Sequence, residues 1–74
     1  MVEIFSTDVR SQTDADFLLG ELAKQFPMYE VNFDLEDCDN ILRVASFMDE
    51  IDTLEIVALL NGFGFCIHIL ADTA

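Results

Sequence analysis

Residues 32–44, NFDLEDCDNILRV, constrain the fold more than any other stretch of the chain. Two apolar-patterned runs flank an acidic centre, Glu36-Asp37-Cys38-Asp39-Asn40. Side chains alternate across a strand, and Asp and Asn favour turns, so this reads as two antiparallel strands joined by a short acidic turn. A strand and then a helix precede it; a helix and then a strand follow it. The hairpin is therefore the hinge of a pseudo-symmetric βαββαβ chain.

The first strand is predicted over residues 2–7, where Val2, Ile4 and Ser6 alternate with Glu3, Phe5 and Thr7. Ser11 and Thr13 are both N-cap candidates, with Asp14 and Asp16 three residues on. The first helix spans about 13–26, with Ala15, Leu18, Leu19, Leu22 and Phe26 on one stripe and Phe17 at its margin. Gly20 in mid-helix suggests close approach to the sheet, and Pro27 ends the helix by removing a donor. The second strand covers 29–36, with Val31, Phe33 and Leu35 inward and an outer acidic row fit to guard an edge. The third covers 41–45, with Leu42 and Val44 toward the helices. A second helix follows over about 50–61, its apolar face Ile51, Leu54, Val57 or Ala58, Leu59 and Leu60. Asp52 and Glu55 have capping-box spacing, Ser46 and Asp49 offer an earlier start, and Gly62 is the expected left-handed stop. The last strand spans 65–70, with Phe65, Ile67 and Ile69 inward.

This order is the split βαβ pattern. The expected fold is α+β, a ferredoxin-like sandwich in which two helices cover one face of a four-stranded antiparallel sheet of order 4-1-3-2. Residues 1–74 form a single domain. Three connections should share one end: 7–12, 37–40 and 61–64. That end would carry Asp8, Asp37 and Asp39, with Arg10 as the nearby cation. By parity, the uncovered sheet face would show Phe5, Ile41, Arg43, Cys66, His68 and Leu70. A half-apolar exposed face of this kind marks an interaction surface.

Charge narrows the partners. Fifteen acids against three bases give a net charge of −12, which opposes nucleic acid and anionic membrane, since both need a basic footprint. An apolar share of 53%, with seven phenylalanines, does not fit a disordered acidic chain. No run approaches the ~20 apolar residues of a membrane span, and the start of the chain has no basic n-region or apolar h-region. The expected compartment is the cytoplasm, although a mature chain that had lost a leader would look the same. Cys38 and Cys66 lie 28 positions apart, without a Cys-x-x-Cys, and read as free thiols.

Candidate chemistry is thin. Asp34, Glu36, Asp37 and Asp39 offer oxygens to a hard cation, but not at the spacing of a calcium loop, and edge protection and turn chemistry explain them better. Cys66 and His68, two apart on a strand, share a face and are the candidate soft-metal ligands; a tight site needs three or four. A Cys-His nucleophilic pair lacks an orienting third group. Arg43 is expected to pair across the hairpin with Asp34 or Glu36.

The element order, with Phe26-Pro27 and the run Tyr29-Glu30-Val31-Asn32-Phe33-Asp34-Leu35, resembles the heavy-metal-associated (HMA-like) domain family of copper chaperones and metal-pump modules. Ile56 through Leu60, then Asn61-Gly62-Phe63, resembles that family's last helix and its Gly-aromatic step. The likeness covers nearly the whole chain, on fold-keeping positions that ACT-type regulatory domains also share. The family holds soft metal on a Cys-x-x-Cys after the first strand; here that stretch is Asp8-Val9-Arg10-Ser11-Gln12-Thr13-Asp14-Ala15, without a cysteine. No ligand residue carries over. The expected function is a non-enzymatic interaction or regulatory module without a cofactor. It would bind a protein partner, or itself, through the open sheet face (Phe5, Ile41, Arg43, His68, Leu70) or an edge strand. The alternatives are metal binding or transport at a non-standard site such as Cys66 and His68, and a small-ligand sensor of ACT type.

Overall fold

The computed structural model describes residues 1–36, 40–48 and 50–70. Its elements are β1 (Val2–Thr7), α1 (Gln12–Gln25), β2 (Glu30–Asp34), β3 (Ile41–Ala45), α2 (Thr53–Gly62) and β4 (Ile67–Ile69). The sheet runs β2-β3-β1-β4, all neighbours antiparallel, which is the expected 4-1-3-2 order read from the other edge. Both helices pack on one face, giving the ferredoxin-like α+β sandwich. No helix among the described residues is long and apolar enough to cross a membrane.

The helices start where side chains can cap them. Ser11 Oγ accepts from the Asp14 N–H at 3.0 Å, and Asp52 Oδ1 accepts from the Glu55 N–H at 3.2 Å. The second cap sets α2 going at Thr53, three residues later than the pattern suggested. That start fixes which side faces inward: Ile56 and Leu60 are fully buried, whereas Leu54, expected in the core, is 80% exposed. Ile51 still reaches the core, from the segment ahead of the helix.

The end of α2 is a Schellman motif. The Phe65 N–H reaches back to the Leu60 carbonyl at 3.0 Å and the Gly64 N–H to the Asn61 carbonyl at 3.0 Å. The left-handed residue is Gly64, at φ +90°, not Gly62. Gly20 also departs from expectation. A Cβ built there meets nothing within 4 Å, so it makes no close approach to the sheet.

The core joins Phe5, Leu42, Val44 and Ile67 of the sheet to Ala15, Leu18 and Leu22 of α1 and Ile56 and Leu60 of α2. Val9, in the loop after β1, is fully buried among them. A second tie joins two connections at the other end of the sheet. The Tyr29 hydroxyl donates to the Glu50 carbonyl and accepts from the Asp52 N–H, both at 2.9 Å. Phe26 stacks on Tyr29 with centroids 5.3 Å apart.

Candidate interaction face

Register decides which side chains the uncovered face presents. Phe5 stands opposite Leu42, and Val44 opposite both Glu3 and Val31. Paired residues share a face, and Leu42 and Val44 point into the core, so Phe5 does too. It is fully buried. The expectation that Phe5 belongs to the open face is therefore wrong by one residue of parity. The physical reason is that β1 carries large apolar groups on both sides, Val2 and Ile4 against Phe5. The aromatic ring, with the larger area to remove from water, takes the core.

The open face is consequently built from Val2, Ile4 and Ser6 of β1, Ile41, Arg43 and Ala45 of β3, and Glu30, Asn32 and Asp34 of β2. His68 completes it, opposite Ser6. Leu70 follows by alternation, its N–H bonded to the Ile4 carbonyl at 2.9 Å. Arg43 and His68 are exposed and Leu70 is 37% exposed, as expected of a presented surface. Ile41 lies on this face, outside the core cluster, but is only 6% exposed between Ser6 and Asp34. It supports the face more than it displays itself. The residues that pattern reading missed are Val2 and Ile4. The signal that would have found them is the pairing of β1 with β3, which alternation within β1 alone does not contain.

The face is graded in charge. Acids lie along β2, an apolar band follows β1 and β3, and His68 stands near the opposite edge. Arg43 sits in the middle. Its cross-strand neighbours are Asn32 and Ile4, not an acid, and the expected ion pair with Asp34 or Glu36 does not form; Asp34 stands two residues from Asn32, opposite Ile41. The one salt bridge among the described residues is Lys24 to Glu21 at 3.1 Å, on α1.

Described residues within or beside the three connections expected at one end are tied together there. The Thr7 hydroxyl donates to the Asn40 carbonyl at 2.7 Å, and Asp8 and Cys66 bond reciprocally. Asp8 Oδ1 accepts from the Cys66 N–H at 2.9 Å, while the Asp8 N–H donates to the Cys66 carbonyl at 3.2 Å. Asp8 is thus occupied in fixing the approach to β4. Asp37, Cys38 and Asp39 lie outside the described residues. Asp34 Oδ1 accepts from the Glu36 N–H at 3.2 Å, a turn-forming bond. Asn40 takes a left-handed φ of 48°, a conformation that Asn tolerates. Cys66 is a free, exposed thiol and His68 is exposed nearby; no third His, Cys, Asp or Glu joins them in a metal-holding group among the described residues. Compared with protein-family models and with curated proteins, the chain matches none.

Proposed function

We propose that the chain is a non-enzymatic interaction or regulatory module whose working surface is the open face of its sheet. One observation carries the reading: the face opposite the helices has no covering layer among the described residues, yet it displays Val2, Ile4 and Leu70 beside Arg43 and His68. A face meant only for solvent has no use for three large apolar groups, and such a mixture suits a binding surface. Arg43 supplies a planar, hydrogen-bonding cation at its centre, a residue type favoured at interfaces. The occupant is a partner protein or a second copy of the chain. The acids Glu30 and Asp34 along β2 disfavour edge-to-edge pairing there and direct binding to the face.

The HMA-like resemblance enters this proposal as a likeness of fold, and a ferredoxin-like scaffold hosts many functions. The cytoplasm suits it, since a free exposed thiol such as Cys66 stays reduced there. The test is co-purification from the native host with three forms of the chain: wild type, Arg43→Glu with Leu70→Ser on the open face, and Gln25→Glu on the outside of α1. The open-face variant loses the bound protein, or the second copy, and the helix variant retains it. Retention by both would overturn the reading.

A further inference from the structure

The end of the molecule opposite the Thr7–Asn40 bond has a surface of its own. The Met1 amino group donates to the Ser46 carbonyl at 2.6 Å, and the Ser46 N–H to the Met1 carbonyl at 2.8 Å. This pair ties the start of β1 to the β3–α2 connection, and Tyr29 ties the α1–β2 connection to the start of α2. All of these segments therefore share one end. Large apolar side chains stand out from it: Met28 is 51% exposed, Phe47 88%, Met48 94% and Leu54 80%. Phe17 and Phe63 are also exposed, but pack on one another edge to face at 5.0 Å. All three methionines of the chain lie at this end. Methionine is unbranched and polarizable, and adapts to partners of varied shape. A shallow depression of about 360 Å³, lined by residues 50–54, adjoins them.

The rim is acidic. Glu50, Asp52 and Glu55 are exposed around the same end. The cations at this end are both engaged: the Met1 amino group on the Ser46 carbonyl, and Lys24, in the last turn of α1, on Glu21. Arg10 belongs to the opposite end and Arg43 to the sheet face. A second copy placed here would set one acidic rim against another, which like-charge repulsion opposes. A cationic partner gains from both terms.

We infer that this end docks a cationic amphipathic segment of another protein. Its apolar side chains would lie on Met28, Phe47, Met48 and Leu54, and its Lys or Arg side chains on the acidic rim. The surface is separate from the open sheet face, so each proposal can fail without the other.

The test is an NMR titration of the isotope-labelled full chain with a synthetic Leu/Lys amphipathic helical peptide, and with the same peptide carrying Glu for Lys. The expected result is saturable shifts at Met28, Phe47, Met48 and Leu54 with the Lys peptide alone, weakening as salt is added. A Phe47→Ser, Met48→Ser variant should bind at least about tenfold more weakly, the effect of losing a central apolar anchor, with its remaining spectrum unchanged. Three outcomes would each overturn the inference. These are equal binding of the Glu peptide, shifts centred on Arg43 and His68, or concentration-dependent shifts at Phe47 and Met48 without peptide, which would make the occupant a second copy.

Discussion

Truncating Phe5 and Ile4 in turn tests the β1 register, on which the composition of the open face depends. Phe5 is fully buried in the core, whereas Ile4 is partly buried on the other side of the same strand. A phenylalanine removes roughly 150–250 Å² from water, worth about 4–6 kcal/mol at roughly 25 cal/mol per Å² as an upper estimate. Measured Phe→Ala losses in cores are about 3–5 kcal/mol. A domain of 74 residues has about 4–11 kcal/mol in total at the usual ~0.05–0.15 kcal/mol per residue, so Phe5→Ala would unfold much of the population. The usable variant is Phe5→Leu, which should cost about 1–3 kcal/mol, the ordinary range for a core truncation. Ile4→Thr, which keeps the β-branch and sits on the uncovered face, should cost no more than about 1 kcal/mol, the span of strand propensity. Urea denaturation followed by circular dichroism, with equal slopes in all three proteins, gives the difference directly. If Ile4→Thr proves the more destabilising of the two, β1 is paired one residue out of the register described, and the open face presents Phe5 after all.

Four further outcomes follow from particular contacts. Gly20→Ala should stabilise by about 0.5–1 kcal/mol, since the helix is regular there and a Cβ meets nothing; thermal denaturation should show a higher midpoint. Gly64→Ala should cost about 1–2 kcal/mol, because φ +90° suits only glycine, and the loss should appear in the same melts. Tyr29→Phe removes a hydroxyl that bonds both Glu50 and Asp52, and should cost about 1–2 kcal/mol, with faster amide exchange at Asp52 reporting the freed start of α2. Added salt should raise stability, by about 1 kcal/mol or about 4–8 °C, because a charge of −12 within a radius of gyration of 11.3 Å repels itself, and the screening length at 0.1 M is ~10 Å; a melting point that falls with sodium chloride would contradict this.

Most of the fold was legible because the strongest signals were local. The α1 stripe of Ala15, Leu18 and Leu22 buries as its spacing predicts, Ser11 and Asp52 cap, and residues 41–45 form β3. The errors fall where local pattern is ambiguous and long-range pairing decides. β1 has apolar groups on both sides, and only its register against β3 chooses between Phe5 and Ile4. In α2, Leu54 and Ile56 compete for the inward side, and the Asp52 cap settles the phase. Gly62 and Gly64 both suit a helix stop, and the hydrogen bonds to Leu60 and Asn61 select the second. The candidate surface was half legible for the same reason. Arg43, His68 and Leu70 were placed by their own strands, whereas Val2 and Ile4 needed the pairing. The exposed group at Met28, Phe47, Met48 and Leu54 escaped notice because two connections distant in sequence and the first turn of α2 assemble it.

The central claim is that the open sheet face is the working surface, and the most direct measurement is a covalent one. A photo-crosslinking side chain is placed at Arg43, at His68, and at Ala23 on the exposed side of α1, and each protein is irradiated in its native host. The account predicts a discrete adduct from positions 43 and 68, and none of that mass from position 23. Equal adducts from all three, or an adduct from position 23 alone, would contradict it.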